Sequence, residues 1–316
     1  MTNFREKLPF YIGTSEQDIK EMLSFLGLSS LDDLYTHIPK DCQMNGMMDL
    51  PPHLDYDSLK KHLEELSNNN NNKVSFLGDG LQRYKVAPIV PEVCNVRGLT
   101  TAYTPYQPER SQGTLQTLWI YQSALAAITG FEAINASLYE RATCLFEALN
   151  CANRIKRKNK VLIAENIYPG DKEVIETQRV ETNLEVEYLP INPETGLVDL
   201  NKAEAMITDQ VSAIAFSQIN SFGHIENFDE LTNLAHSKGI LTIAIVDPMA
   251  IADNGLKEPA KWGDVGADIL VGEGQHLTID NNYGGPGLGV FGIRYNDRTK
   301  AYIRSTAGRF IGKLKM

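Results

Sequence analysis

Polar residues follow three β-rich runs of the sequence, each at the point where the apolar run ends. Asn220 follows AIAFSQI, Asp247-Pro248 follows ILTIAIV, and the segment GEGQ at 272–275 follows ADILV. In a parallel sheet such residues collect at the carboxyl edge, where ligands bind. A strand-end carboxylate such as Asp247 can pair with the ring nitrogen of pyridoxal phosphate, although an Asp-Pro pair at a strand end is more often turn chemistry.

An enzyme that uses pyridoxal phosphate also needs a lysine amine at this edge, because the cofactor is held there as a Schiff base. The sequence has no lysine between Asp264 and Arg294. Lys257 and Lys261 precede the ADILV strand and are better explained as solvated surface. The residues therefore indicate the scaffold of such an enzyme without its lysine.

The elements that must position these residues alternate along the chain. Two amphipathic helices come first, TLQTLWIYQSALAAITG, which ends at Gly130, and ATCLFEALNCANRIK. The predicted strands are VLIAEN, VEYLP, AIAFSQIN, GILTIAIVD and ADILVGE, with helices between them at KEVIETQRV, LNKAEAMIT and FDELTNLAHSKG. GPGLGVFGIRY closes the series with a turn and a strand. This alternation predicts an α/β fold with a mostly parallel sheet. Together with Asp247 at a strand end, it suggests the large domain of an aspartate-aminotransferase-like (fold type I) protein.

The first part of the chain is predicted to be helical and rich in loops. Cap residues at 14–17 begin a helix that stops before Gly27, and a second short helix begins at Ser30. DYDSLKKHLEEL forms a polar helix ending at Ser67, before a run of asparagines, and residues 76–113 read as irregular structure. We expect an N-terminal segment at 1–113, the α/β domain at 114–296, and the start of a truncated C-terminal region at 297–316, with the small C-terminal domain absent.

Composition excludes several functions. A net charge of -10 gives nucleic acids no attractive field. The glycine clusters GDG at 78–80 and GGPGLG at 284–289 lack the strand and helix context of a nucleotide-binding loop. Four cysteines without CxxC spacing read as free thiols, so no metal site is expected. No apolar run is long enough for a signal peptide or a membrane span, so we expect a soluble cytoplasmic protein.

Three motifs carry a resemblance to a known family. YTPYQPE at 103–109 precedes SQG at 111–113, NASLY stands at 135–139, and VGEGQ at 271–275 precedes GGP at 284–286. The sequence resembles glycine decarboxylase, the P-protein of the glycine cleavage system, and in particular the α-type subunit 1 of its two-subunit bacterial form. The resemblance runs from about residue 5 to the end of the chain.

The resemblance implies a subunit of an α2β2 complex that decarboxylates glycine and passes the aminomethyl group to the lipoyl arm of the H-protein. It implies that the β-type subunit carries pyridoxal phosphate on a lysine whose position here is Gln275. This chain then has no covalent cofactor and is inactive alone. Its contribution to the shared active-site wall is expected from the loop residues Tyr103, Thr104, Tyr106, Gln107 and Glu109.

Other residues have weaker claims. Asp247, Asn135 and Ser137 are candidates for a vestigial cofactor pocket, but Asn135, Ser137 and Tyr139 are as well explained as a helix cap. His224 and His276 each follow a strand and are more often structural. Where the family reads NASMYDGAT, this chain has Glu140-Arg141 in place of Asp-Gly, and where the family has His-Pro it has Tyr168-Pro169.

The sequence leaves two functions open. The chain is either a catalytic partner or a pseudoenzyme that docks the H-protein or regulates the β-type subunit. The loop 103–112 is part of the active site, a proline-stiffened interface segment, or both. An independent pyridoxal phosphate enzyme is disfavoured because the lysine is missing.

Overall fold

The computed structural model describes residues 13–43, 46, 48–71, 73–74, 76, 84–252, 255–282, 284–285 and 287–311. The GDG cluster at 78–80 and Pro286 of the GGP motif lie outside these residues. Contacts within the chain divide it into two compact units, 1–74 and 75–316. The boundary expected at 113 stays a prediction.

The first unit contains the helices that were predicted for the start of the chain. α1 (Glu16–Leu26) begins with a reciprocal capping box between Ser15 and Asp18 and ends at Gly27, which adopts a left-handed conformation. A 3₁₀ helix follows Ser30, and α2 (Tyr56–Asn68) has Asp55 as its cap. These elements confirm the sequence prediction. They could be predicted because the cap residues that begin and end them lie next to them in the sequence.

The second unit is built on one seven-stranded sheet. The strands are β1 Ala133–Ile134, β2 Lys160–Ala164, β3 Glu185–Leu189, β4 Val211–Ser217, β5 Leu241–Val246, β6 Ile269–Glu273 and β7 Gly289–Ile293. Their order across the sheet is β1-β7-β6-β5-β4-β2-β3. Strands β2 to β6 are parallel, and β7 runs antiparallel to both of its neighbours. The predicted mostly parallel α/β sheet is thereby confirmed.

Helices precede β1 and connect most of the strands that follow. They are α3 Ile89–Cys94, α4 Gln112–Thr129, α5 Arg141–Lys156, α6 Pro169–Gln178, α7 Leu200–Met206, α8 Asp229–Ser237 and α9 Gln275–Thr278. α4 ends at Gly130, as predicted. The segment 76–113 was expected to be irregular, and this was wrong in part, since α3 and a 3₁₀ turn at 97–99 form there. Both are too short to show a hydrophobic period in the sequence.

The core lies on both faces of the sheet. Every residue of β4 and β5 is buried, which is typical of central parallel strands covered by helices. Phe216 of β4 stacks on Phe228 and Trp262, with ring centroids 4.1 and 5.6 Å away. The sheet therefore holds the carboxyl ends of β4, β5 and β6 on a rigid base.

Among the described residues, no helix is long and apolar enough to cross a membrane.

Candidate active site

Gln275 lies at the carboxyl edge of the sheet, directly after β6. It is the first residue of α9, and only 4% of its surface is exposed. Its backbone N–H donates to Glu273 Oε1 at 2.8 Å, and its side-chain Nε2 lies 3.4 Å from Asp280 O and from Asn282 Oδ1. The amide is thus held by its own loop.

Asp247 follows β5 on the same edge and is bound by the neighbour of Gln275. Its Oδ1 lies 3.0 Å from His276 Nε2 and also accepts the backbone N–H of Met249 at 2.8 Å. Burial alone would raise the Asp247 pKa, but the hydrogen bond and charge of His276 and the nearby backbone N–H groups lower it. The pKa of His276 is raised, mainly by its hydrogen bond to Asp247.

Glu273, the last residue of β6, is a hub of backbone contacts. Its Oε2 accepts the N–H of Arg141 at 3.2 Å, and its Oε1 accepts the N–H of Leu288 at 3.0 Å as well as that of Gln275. Arg141 is the first residue of α5, so this carboxylate sits at a helix N-terminus. Glu140 caps the same helix by accepting the N–H of Thr143 at 3.0 Å.

The side chain of Arg141 turns towards the residues that follow β2. Its Nε and Nη2 donate to the two carboxylate oxygens of Asp171 at 2.6 and 3.0 Å. Its guanidinium carbon also lies 4.2 Å from the centroid of the Tyr168 ring. The two departures from the family pattern, Arg141 and Tyr168, therefore contact each other.

The NASLY turn holds a later part of the chain. Asn135 is fully buried, donates from Nδ2 to Ala307 O at 3.2 Å, and accepts the N–H of Ser137 at 3.1 Å. The backbone of Ala136 bonds to Arg309 O at 2.6 Å. Ser137 has a φ of 77°, a strained value for a residue with a side chain. The cap of α5 is Glu140, so neither Asn135 nor Ser137 acts as that cap.

The 103–109 loop exposes most of the residues predicted to form the active-site wall. Tyr103 is fully exposed and Tyr106 is 76% exposed, while Gln107 and Glu109 are exposed and Thr104 is half-buried. Tyr106 lies beneath Arg309, whose guanidinium carbon is 4.8 Å from the ring centroid. Through Arg309 the loop is linked to the NASLY turn.

The base of the loop is fixed by hydrogen bonds to the start of α4. Thr114 Oγ1 accepts the N–H groups of Thr101 and Ala102 at 3.0 and 3.2 Å. Gly113 is required here, since a Cβ at this position would lie 1.8 Å from Gly98 O. The loop is therefore anchored at its base, while its tyrosines point outward.

Two further residues at strand ends, Asn166 and Asn220, hold neighbouring loops together. Asn220 and Asn166 both donate to Glu226 Oε1, at 2.8 and 2.6 Å, and both reach Gly196 O. His224 is exposed on the hairpin beyond Asn220. Among the described residues, no group of His, Cys, Asp and Glu side chains could hold a metal ion.

Sequence reasoning missed Glu140, Glu273, Asp171 and the role of His276. Glu273 stands inside the VGEGQ motif, which was the available signal. Its partner Arg141 is 132 residues away, and Asp171 is 30 residues from Arg141. Pairs of that separation leave no trace in the spacing of one sequence.

Comparisons with known proteins point to one family and one fold. The family described as "Glycine cleavage system P-protein" matches residues 9–315. A "Probable glycine dehydrogenase (decarboxylating) subunit 1" of Legionella pneumophila (strain Corby) is 35% identical over 306 residues, 96% of this chain and 66% of the relative. A protein of the same name from Sulfurisphaera tokodaii is 38% identical over 304 residues, 94% of this chain and 66% of the relative. The chain thus spans about two thirds of the length of these curated relatives.

A solved structure agrees with these relatives. The crystal structure of glycine decarboxylase (P-protein) of the glycine cleavage system, in inhibitor-bound form, superposes with a TM-score of 0.77 at 32% identity. The match covers 94% of this chain and 64% of that one. The resemblance and the fold class predicted from the sequence are confirmed.

Proposed function

Because the chain belongs to the glycine cleavage system P-protein family, we propose that it is the α-type subunit of a two-subunit glycine decarboxylase. The observation that carries this proposal is Gln275. The chain has the sheet, the strand-end Asp247 and the loop after β6, and the buried amide of Gln275 stands where the resemblance implies the lysine of the β-type subunit. A neutral amide cannot form a Schiff base.

The cofactor that the family implies, pyridoxal phosphate, does not fit this chain. The nearest lysines in sequence before β6 are engaged elsewhere, Lys257 with Asp229 at 2.7 Å and Lys261 with Glu258 at 2.9 Å. Asp247 is already bound to His276. We therefore assign the cofactor to a β-type partner, and we assign no step of its chemistry to the residues of this chain.

The contribution of this chain is then positioning. Tyr103, Tyr106, Gln107 and Glu109 present phenols, an amide and a carboxylate on an anchored loop. Such groups can orient glycine, a small zwitterion, and a lipoyl arm at the partner's cofactor, and they can exclude water from it. The H-protein and an α2β2 assembly are part of this proposal.

We also place this complex in the cytoplasm. Cys42, Cys94, Cys144 and Cys151 are all free thiols. Free thiols suit a reducing compartment.

Reconstitution tests the proposal. The purified chain, mixed with a lysine-bearing β-type subunit, should raise the exchange of the glycine carboxyl group with bicarbonate far above the rate of either subunit alone. Tyr103→Ala should lower this exchange without changing the melting temperature, because the ring is fully exposed. Tyr295→Ala is a matched control at a 48% exposed tyrosine outside the loop.

Two outcomes would contradict the proposal. If the chain leaves exchange unchanged but retains a lipoyl H-protein in a pull-down, it is a docking pseudoenzyme. If Tyr103→Ala and Tyr295→Ala behave alike, the loop is not part of the active-site wall.

A further inference from the structure

The carboxyl edge of this sheet contains internal substitutes for a bound cofactor. We propose that three side chains of this chain take the places of parts of a bound cofactor. Glu273, at the N-terminus of α5, takes the place of the anion, and His276, hydrogen-bonded to Asp247, takes the place of the ring nitrogen. Arg141, stacked on Tyr168, takes the place of the ring. The edge is then complete without a ligand, and the missing lysine is only one of several features that disfavour a cofactor here. This inference deepens the proposed function and rests on it.

The first substitution concerns the anion. A helix N-terminus attracts a phosphate because its first N–H groups have no partner within the helix. In α5 two of these groups are engaged by carboxylates, since Arg141 N–H donates to Glu273 and Thr143 N–H donates to Glu140. A Cβ at Gly287 would lie 3.1 Å from Glu140 Cβ and from Glu273 Oε1, so the following loop packs closely over both. A phosphate would meet two negative charges here.

The second substitution concerns the ring nitrogen. A protonated pyridine nitrogen is recognised by a strand-end carboxylate. Asp247 is that carboxylate, and the imidazole of His276 lies 3.0 Å from it. Only 17% of the His276 side chain is exposed. A flat ring with an N–H donor is thus already provided by the residue next to Gln275.

The third substitution concerns the ring itself. An aromatic face at such an edge can stack on a flat cofactor. Here the planar guanidinium of Arg141 covers Tyr168 at 4.2 Å and is fixed by its two hydrogen bonds to Asp171. Guanidinium groups stack on aromatic rings in the same way as a second ring.

The three substitutions form one connected cluster. Arg141 uses its backbone N–H for Glu273 and its side chain for Asp171 and Tyr168. The charge of Glu273 acts on both Arg141 and His276. The cluster contains more carboxylates than cations, so it disfavours a further anion as a whole.

The first experiment restores the amine and nothing else. The Gln275→Lys variant of this 316-residue chain is incubated with pyridoxal phosphate, reduced with borohydride, and analysed by mass spectrometry for an adduct at position 275, with near-ultraviolet circular dichroism as the check on folding. We expect no more adduct at that position than on surface lysines. A saturable adduct at position 275 would overturn the inference, since the lysine would then have been the whole defect.

The second experiment removes both internal anions and probes the place with inorganic phosphate. Phosphate should raise the melting temperature of the double variant Glu140→Ala/Glu273→Ala by about 2–4 °C when it is present well above its dissociation constant, and should leave the wild type and Glu187→Ala unchanged. Glu187 is the control because it lies in the edge strand β3, paired with Lys160. Equal shifts in all three proteins, or none in the double variant, would overturn the inference.

Both experiments use the isolated chain and measure no glycine exchange. A failure of the reconstitution assay therefore leaves these results standing. Conversely, an adduct at position 275 would refute the internal substitutes without refuting the role of the chain in a two-subunit enzyme.

Discussion

The guanidinium of Arg141 stands beside a carboxylate, Asp171, that is only 5% exposed. Arg141→Met removes the cation from a partly buried ion pair, which costs about 3 kcal/mol of unfolding free energy. Urea unfolding followed by tryptophan fluorescence, to which the buried Trp262 contributes, measures this loss. Arg179→Met is the control, because Arg179 pairs with Glu176 at the surface and should cost no more than about 1 kcal/mol. Equal losses would show that burial of Asp171 has no energetic effect.

His276 and Asp247 give the chain a pH-dependent stability. Because the pKa of His276 is raised in the folded chain, its protonated form stabilises the fold below about pH 6.5. This contribution is lost as the pH rises through the pKa that His276 has in the folded state. Because the pKa of Asp247 is lowered in the folded chain, its ionised form stabilises the fold above about pH 3.9. This contribution is lost as the pH falls through the pKa that Asp247 has in the folded state. The pair is therefore most effective between these values.

His276→Gln should lower the unfolding free energy more at about pH 5.5 than at about pH 9. Urea titrations at the two pH values provide the measurement. In an Asp247→Asn background the difference between the two pH values should shrink, because the partner of the imidazole is gone. A loss that is the same at both pH values would mean that the imidazolium and carboxylate do not interact.

At the scale of elements, β7 crosses α5 so closely that only glycine fits. A Cβ at Gly289 would lie 2.5 Å from Cys144 Sγ and 2.8 Å from Glu140 O. Gly289→Ala should therefore destabilise the larger unit by about 3 kcal/mol, since the obstacle includes backbone atoms. Gly98→Ala is the matched control, because nothing lies within 4 Å of its added methyl group. Chemical unfolding of both variants decides the matter, and a neutral Gly289→Ala would refute this close packing.

The elements themselves were predictable where their signals are local. α1, α4 and most of the strands follow from caps, periods and apolar runs within one stretch of sequence. The two-residue β1 and the antiparallel direction of β7 depend on pairing between distant segments, such as Ala133 with Ile293. Gln275 was identified through the family resemblance, and the lack of a lysine between Asp264 and Arg294 agrees with it. Its neighbours Glu273 and Arg141 meet only in the folded chain.

At the scale of the whole molecule, the proposed function gives the chain half of an active site. The loop with Tyr103 and Tyr106 is anchored by Thr114, while the edge with Gln275 is closed by its own side chains. If catalysis needs one such loop for each cofactor, glycine exchange should rise linearly as this chain is added to a fixed amount of β-type subunit. It should stop rising at one chain per β-type subunit. Native mass spectrometry of the mixture at this point should give a 1:1 ratio of the two subunits.

A matched titration separates this outcome from simple stabilisation of the partner. The Tyr103→Ala chain should give the same 1:1 ratio in mass spectrometry but a lower plateau of exchange, because the ring is exposed and its loss leaves the fold intact. A chaperone-like role predicts instead that both chains reach the same plateau and that small amounts suffice. A plateau reached well below one chain per β-type subunit would therefore contradict a shared active site, since each cofactor must be covered by its own copy of the loop.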